Sequence, residues 1–347
     1  MKKTVLFVLL TAFYLSAAIV PLEKAKKVAK NYYGHYCSEA ASKGSSVINV
    51  VENKYEGIIT RYTFEFDKGF VIVTADDELY PILGYSDHGK VPSKDAVGGQ
   101  NFKEWFDNYD RQIACKGSGK FIDENAVRLW KDIENNVFPT GKAGIIVDRL
   151  VKSQWGQLYP WNLLCPEKDS METYAGCVAT AMAQILRYHR WPDVGAGSAS
   201  YLWEGQTLSA DFTVHTWNYD LMPEVLNIEY GIYPEYWETG ITQAEKDELS
   251  LLSYWTGLSV DMMYGTYLNE GSATYASYVD DAFLDHWKAS SSQYYTMEKP
   301  PSGGVDAQFP IIKAELDAKR PWFWAGGAHA FILDGYRDDY WYHFNWG

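Results

Sequence analysis

The chain has 347 residues, of which 47% are hydrophobic, and it carries a formal net charge of −14. This length predicts about two domains, each with enough apolar residues for a core of its own. The negative charge and the lack of a basic run exclude a polyanion-binding surface, so neither nucleic acid nor an anionic membrane is expected as a partner. Aromatic residues make up 16% of the chain, a richness that suits extracellular enzymes and carbohydrate-binding surfaces alike.

The N-terminal segment is typical of a secretory signal peptide. Two lysines precede an apolar run over residues 4–15, and small residues follow it at 16–18. We expect residues 1–18 to be removed by cleavage near Ala17 or Ala18, because the run is too short and wrongly flanked for a stable membrane span. No later stretch is long and apolar enough to cross a bilayer. The protein is therefore expected to be secreted, to a periplasmic or extracellular location.

In residues 19–115 the spacing of the apolar residues changes between the period typical of a helix and the period typical of a strand. Residues 21–33 carry apolar side chains three and four positions apart, which predicts a short amphipathic helix. An Asp-Lys-Gly sequence at 67–69 is typical of a hairpin turn, and residues 101–115 return to the helical period. Runs rich in β-branched and aromatic residues predict strands over residues 47–51, 57–66, 69–74 and 81–85. These elements together predict a small α+β domain.

Residues 116–144 are predicted to be a linker with a processing site. They contain the sequences KGSGK and PTGKAG, which are rich in turn-forming glycine, around a charged patch of helical character near Trp130. Exposed segments of this kind are where proteases cut most readily. Lys120, Lys131 and Lys142 are the candidate cleavage positions.

Residues 145–347 are predicted to form a second domain in which helices come first and strands last. Thr242 and Glu245 have the spacing of a capping box at the start of a helix over residues 242–255. Apolar runs that alternate with glycine and aspartate turns predict strands from residue 321 onwards. Two further helices are predicted over residues 272–287 and 306–319.

The sequence YAGCVATAMAQILRYHRWP, residues 174–192, predicts a buried helix that opens at a Gly-Cys step. At a helix N-terminus the backbone N–H groups and the dipole stabilise an anion, so Cys177 is a candidate for a reactive thiolate. Gly176 has no side chain to block a substrate from the sulfur. A small buried hydrophobe is the alternative interpretation of this cysteine. The chain has only four cysteines, without the spacing of a disulfide framework or a metal site, so no cofactor or metal is predicted.

A cysteine nucleophile needs a base and an oxyanion donor, and the chain offers candidates for both. His329 begins an apolar strand roughly 150 residues after the cysteine, the separation seen in papain-type proteases. A structural core histidine is the alternative. Gln157 is the candidate oxyanion donor, with Gln154 as its competitor and a surface glutamine as the alternative for either. Asn345 and Trp346 are candidates for orienting the imidazole and shielding it from water, or for ordinary strand packing.

Several blocks of sequence follow one another in a characteristic order. They are FVIVTADD with ILGYS in the first domain, then residues 157–162, GCVATA at 176–181, SVDM at 259–262 with GSA at 271–273, residues 327–335, and the Asn-Trp-Gly sequence at 345–347. In this order they resemble the streptopain family, peptidase family C10, over nearly the whole chain. The resemblance implies an α+β fold, in which a papain-like, two-lobed catalytic domain follows an inhibitory propeptide.

The resemblance also implies a role for each matching residue. Cys177 corresponds to the nucleophile, His329 to the base and Gln157 to the oxyanion glutamine, while Asn345 and Trp346 flank the catalytic histidine. The implied activity is that of a secreted cysteine endopeptidase made as a zymogen, with a thiolate–imidazolium pair, protein or peptide substrates, and its own propeptide as intramolecular inhibitor. A hydrophobic pocket for the substrate residue two before the cut is also implied. Candidate substrate-binding residues are Gly176, Met262, Ser272, Ala273, Gly327 and Ala328.

Two features depart from the family pattern. The family's Asn-Trp-Gly sequence continues into a segment rich in Trp and Gly, whereas this sequence stops at Gly347, so a truncated C-terminal end is expected. An extra small residue also stands within residues 326–328. A truncated sheet leaves a second hypothesis, an inactive or inhibitor-like binding protein built on the first domain, and the aromatic content leaves a carbohydrate-binding surface as a third. Four other histidines are expected to be structural or surface residues: His189, His215, His286 and His343.

Overall fold

The chain divides into two compact units, Met1–Lys142 and Ala143–Gly347. The predicted signal peptide lies outside the described residues. Within the part of the chain that is described, no helix combines the length and the apolar character needed to cross a membrane. The computed structural model describes residues 19–37, 46–91, 99–115, 124–138, 145–226, 240–266, 268, 271–296, 302, 307–326, 328–337 and 341–346.

The first unit packs helices against a four-stranded antiparallel sheet with the order β1-β2-β3-β4. The apolar side chains that the helix over Leu22–Tyr36 carries three and four residues apart are buried. The ring of its Tyr33 stacks on that of Phe66 at 3.9 Å between centroids. The predicted hairpin turn at 67–69 joins β2 to β3, as its residue types require. The small α+β domain predicted from the periods is thereby confirmed. The elements are α1 (Leu22–Tyr36), β1 (Asn49–Tyr55), β2 (Ile58–Glu65), β3 (Phe70–Thr74), β4 (Ile82–Ser86), α2 (Gly99–Cys115) and α3 (Glu124–Glu134).

Helix α3 lies within the stretch predicted as a linker. Trp130 is only 2% exposed, and its indole N–H donates to the carbonyl oxygen of Leu79 at 2.9 Å. The side chain of Asn31 on α1 donates to the carbonyl oxygen of Ile133 at 2.8 Å. These contacts make α3 part of the first unit. Its charged residues are typical of an exposed segment, but the buried side chains of Trp130 and Ile133 fix the helix to the rest of the unit. Of the candidate cleavage positions, Lys131 lies on this helix, and Lys120 and Lys142 lie outside the described residues.

The second unit combines helices with an antiparallel sheet in which β9 pairs with β5, β8 and β10. This is the α+β arrangement of helical part and antiparallel strands that the sequence predicted. Helix α5 begins at the predicted cap, where Thr242 and Glu245 form a complete capping box. The elements are β5 (Ile145–Val147), α4 (Cys177–His189), β6 (Ser198–Trp203), β7 (Gln206–Asp211), α5 (Gln243–Leu258), α6 (Val279–Asp285), α7 (Gln308–Asp317), β8 (Trp322–Gly326), β9 (His329–Arg337) and β10 (Tyr342–Asn345).

Helix α4 runs through the core of the second unit. Residues 178–186 are all buried, which explains why this helix is apolar on most of its surface. One side packs in the large aromatic cluster around Phe212 and Trp287, and another contacts Val151 and Ile332. Because Ile332 belongs to β9, the helix and the central strand of the sheet are in direct contact, and this contact positions the site described below.

Two elements of the second unit differ from the prediction. The hairpin β6–β7 was not predicted, although its turn residues Glu204 and Gly205 both have positive φ, 46° and 81°, as a tight hairpin turn requires. The helix predicted over 272–287 begins only at Val279, after a short 3₁₀ turn. The first residues of the predicted stretch lie outside the helix, because Ala273 forms an isolated antiparallel bridge with Met263.

Candidate active site

Cys177 is the first residue of α4, and Gly176 is the residue that caps this helix. Gly176 has φ 94° and ψ 139°, a conformation available essentially only to glycine. A Cβ atom added there would lie 2.7 Å from Cε of Met262 and 3.3 Å from Cβ of Ser272. The first turn is closed by a hydrogen bond from the Thr180 N–H to the Gly176 carbonyl, 2.9 Å. The glycine therefore sets the position of the thiol as well as its accessibility.

The thiol of Cys177 has opposing influences on its pKa. Burial is the largest and raises the pKa, because the charged thiolate is poorly solvated in its surroundings. Main-chain hydrogen bonds from Ala330, Val178 and Cys177 itself lower it. The stabilisation expected at a helix N-terminus is thus present but smaller than the effect of burial, so the net effect is to raise the pKa of the Cys177 thiol.

His329 is the first residue of β9 and is 4% exposed. Its Nε2–H donates to the carbonyl oxygen of Trp346 at 2.8 Å, which leaves Nδ1 of the neutral ring as the nitrogen able to accept a proton. Burial lowers the pKa of His329, and the hydrogen bond to Trp346 raises it. The indole of Trp346 lies 5.0 Å from the imidazole, between centroids, and stacks on Phe331 at 4.6 Å. The imidazole is thus oriented by a main-chain oxygen and covered by an aromatic ring.

The two candidate catalytic side chains come from elements in contact. Ala330, which directly follows His329, belongs to the core cluster against which Cys177 packs, and its main chain lowers the pKa of the thiol. The carbonyl of Gln157 accepts a 2.9 Å hydrogen bond from the N–H of Ala175, which holds Gln157 beside the turn that leads into α4. Gln154 instead donates its backbone N–H to the Glu224 carbonyl at 2.7 Å and is exposed. Of the two glutamines, Gln157 lies next to the nucleophile's turn.

Asn345 lies next to Trp346 but contacts a different part of the site. Its side-chain N–H donates to the carbonyl oxygen of Ser153 at 2.7 Å. The predicted shielding of His329 by Trp346 is matched by the ring contact, whereas the orienting acceptor is the Trp346 carbonyl. The sequence cannot predict that the main-chain carbonyl of Trp346 accepts the hydrogen bond from His329. Every residue has a carbonyl, and the fold determines which one faces the ring.

The candidate substrate-binding residues fall into three groups. Met262 is fully buried beside Gly176, where its side chain lies against the position of the capping glycine. The side chain of Ser272 is held by a hydrogen bond, which its hydroxyl donates to the Tyr174 carbonyl at 2.6 Å. Ala273 and Ala328 are exposed, and Gly327 lies outside the described residues.

Three of the remaining histidines have partners away from this site. The ring of His215 lies 3.1 Å from a carboxylate oxygen of Glu248. The ring of His343 lies 2.6 Å from a carboxylate oxygen of Asp334, which is fully buried. The ring of His286 lies 3.2 Å from the Ala196 carbonyl. These contacts are structural, as the sequence predicted.

Both units match known protein families. A family profile described as the peptidase C10 family matches residues 155–347, and one described as the Spi protease inhibitor matches residues 17–113. The chain is 29% identical over 350 residues to the thiol protease/hemagglutinin PrtT of Porphyromonas gingivalis, with 96% of this chain and 38% of that protein covered. It is 30% identical over 305 residues to streptopain of Streptococcus pyogenes, with 80% of this chain and 68% of that protein covered.

One solved structure is similar over both units. It is a cysteine-to-alanine variant of a prointerpain A fragment from Prevotella intermedia, matched with a TM-score of 0.64 and 25% identity over 86% of this chain and 88% of that chain. The chain thus spans 38% of the length of PrtT but most of the prointerpain A fragment.

Proposed function

Because the chain belongs to the peptidase C10 family of cysteine proteases, we propose that it is an exported cysteine endopeptidase made as a zymogen, with Cys177 as nucleophile and His329 as base. The observation that carries the proposal is the packing of Cys177 against the core cluster that contains Ala330, the residue after His329. It brings the start of β9, where His329 stands, to the N-terminus of the helix that carries the thiol.

The first half of the reaction forms an acyl-enzyme. Nδ1 of His329 accepts the thiol proton, and the sulfur of Cys177 attacks the carbonyl carbon of the scissile peptide. The oxyanion accepts hydrogen bonds from the backbone N–H of Cys177 and the side-chain amide of Gln157. When the tetrahedral intermediate collapses, the C–N bond breaks and the imidazolium gives its proton to the leaving amine.

The second half releases the product acid. Water attacks the thioester carbonyl while Nδ1 of His329 accepts its proton; when the C–S bond breaks, the imidazolium returns that proton to the sulfur, which frees the carboxylic acid and regenerates the thiol. Throughout, the bond from Nε2–H to the Trp346 carbonyl stabilises the imidazolium, because it raises the pKa of His329. The chemistry needs no metal or organic cofactor.

The first unit is proposed to act as the intramolecular inhibitor. The match of residues 17–113 to the Spi protease inhibitor family supports this assignment. Self-cleavage within residues 116–144 would then separate the two units, and the signal peptide at 1–18 would direct export. Candidate cleft residues for the substrate are Ala273 and Ala328, which are exposed.

The test compares two cysteine variants of the full-length chain. Cys177→Ala should abolish casein cleavage, block self-trimming and remove the pH-dependent labelling of this thiol by iodoacetamide. The control is Cys165→Ala, since Cys165 is the other free thiol of the second unit and burial strongly raises its pKa. This control should retain activity and self-trimming.

Undiminished casein cleavage by Cys177→Ala, or an equal loss in Cys165→Ala, would refute the assignment. If the processed wild-type protein cleaves no substrate but its first unit inhibits a related protease in trans, the inhibitor-like function is supported instead.

A further inference from the structure

The carbonyl that orients His329 is connected to helix α4 by a second set of polar contacts. Asn345, which precedes Trp346, donates its side-chain N–H to the Ser153 carbonyl at 2.7 Å. The hydroxyl of Ser153 donates to Oε1 of Gln184 at 2.9 Å, and Oε1 also accepts from the Trp155 N–H at 3.4 Å. Gln184 belongs to α4, two turns after Cys177. We call Gln184, Ser153 and Asn345 the polar brace.

The middle of the polar brace is buried in an apolar part of the core. Gln184 is 0% and Ser153 1% exposed, and the apolar cluster of Val151, Ile185 and Ile332 lies alongside. Nε2 of Gln184 is buried and has no hydrogen-bond partner among the described residues. An unpartnered amide N–H in the core is unfavourable, so packing alone does not account for a glutamine where methionine has the same length.

The segment that carries Ser153 is itself fixed to the sheet. The N–H of Val151 donates to the Asp334 carboxylate at 2.8 Å, and the N–H of Leu150 donates to the Asp334 carbonyl at 3.0 Å. Asp334 lies on β9, the strand that begins with His329. The polar brace therefore joins the helix of the nucleophile to β10, and the segment that carries Ser153 is in turn joined to β9, the strand of the imidazole.

We propose that Gln184 is a positioning residue of the peptidase reaction: through Ser153 and Asn345 it fixes the Trp346 carbonyl, and with it the imidazole of His329, relative to the helix that carries Cys177. The inference rests on the proposed function. Neither Gln184 nor Ser153 touches the substrate. Their effect is to keep the distance between thiol and imidazole constant, on which the rate of an oriented reaction depends steeply.

The first test replaces the acceptor without changing the volume of the core. In Gln184→Met, kcat per titrated active site should fall about tenfold with KM changed less than about twofold, because the loss is one of orientation and not of substrate binding. Gln184→Glu keeps an oxygen acceptor for Ser153 and should recover kcat to within about threefold of the wild type.

The second readout is the pH profile. The hydrogen bond from His329 to the Trp346 carbonyl raises the pKa of the imidazole, so weakening it lowers that pKa. The imidazolium, which is lost as pH rises, is then lost at lower pH. Because the neutral imidazole is the base, the acid limb of kcat/KM should shift to lower pH in Gln184→Met. The alkylation rate of Cys177 as a function of pH should show the same shift, and this measurement needs no turnover.

Two further variants make the test decisive. Ser153→Ala breaks the polar brace with a smaller change in volume and replaces Gln184→Met if that variant does not fold. Thr256→Val is the matched control, because its buried hydroxyl on α5 lies 3.1 Å from the carbonyl oxygen of Ala179 on α4, outside the polar brace. Thr256→Val should lower thermal stability while leaving kcat per active site and the acid limb unchanged.

The proposal would be overturned if both Gln184→Met and Ser153→Ala kept the wild-type kcat and the wild-type pH dependence of kcat/KM. It would also be overturned if Thr256→Val changed these two quantities as much as Gln184→Met does. Failure of the proposed function is distinguishable, since it would leave the wild-type protein inactive while the alkylation profiles still report on the polar brace.

Discussion

Replacing Gly176 by alanine tests whether the capping glycine sets the position of the thiol. The new methyl group meets two obstacles. The backbone at φ 94° and ψ 139° is unfavourable for any residue with a Cβ, and Met262 and Ser272 leave too little room for that atom. Met262 is fully buried and Ser272 is hydrogen-bonded to the Tyr174 carbonyl, so neither side chain moves away freely.

The magnitude follows from these two costs. A residue held in this region of φ and ψ costs about 1–3 kcal/mol, and overpacking of a filled site costs about 1–3 kcal/mol more. The free energy of unfolding of the second unit should therefore fall by about 2–6 kcal/mol in Gly176→Ala. Where the chain relieves the clash by moving the start of α4, a displacement of about 1 Å should reduce kcat/KM about 100-fold.

The assay pairs urea unfolding with peptide hydrolysis. Gly205→Ala is the control, since Gly205 has φ 81° in the β6–β7 turn but nothing within 4 Å of an added Cβ. That variant should lose about 1–2 kcal/mol from backbone strain alone and keep its kcat/KM per active site. If Gly176→Ala is no less stable than Gly205→Ala and equally active, the reasoning about the capping glycine is wrong.

Three further predictions concern the thiol, a helix cap and a buried carboxylate. Burial raises the pKa of Cys177, so alkylation of the full-length chain by iodoacetamide should be slow near pH 7 and accelerate as the pH rises past the ordinary thiol range; a fast, constant rate between about pH 5 and pH 7 would mean that the thiolate is already formed. Thr242→Ala removes the capping box of α5 and should cost about 1 kcal/mol in thermal unfolding without changing kcat/KM; an unchanged melting temperature would contradict the capping role. Asp334→Ala leaves the N–H of Val151 and the ring of His343 without their carboxylate and should destabilise the second unit by about 2–4 kcal/mol in urea unfolding, whereas a loss below that of Thr242→Ala would contradict it.

Much of the fold could be predicted because the local patterns are strong. Helix α4 has an unbroken run of buried residues over 178–186, α5 has its capping box, and the turn between β2 and β3 has the residues a hairpin needs. The β6–β7 hairpin was missed because its inward-facing residues include the small Ala199 and Ala210 and because the large apolar Leu202 is exposed, so the alternation that marks a half-buried strand is weak.

The sequence by itself determined which side chains can do the chemistry. Cys177 at a Gly-Cys helix start and His329 among small residues are local features, and Gln157 belongs to an ordered motif. Each depends on residue type and spacing, which a single chain displays. The same holds for the two-domain organisation, since the periods and composition change along the chain.

Only the tertiary structure decided how those groups are held and what state they favour. Burial, which depends on everything packed around a group, raises the pKa of Cys177 and outweighs the helix N-terminus that the sequence suggested. The acceptor for His329 is a main-chain oxygen of Trp346, and the contact from Gln184 to Ser153 joins residues 31 positions apart. Such contacts are set by how the helix and the strands meet in space, and no local pattern in the chain encodes them.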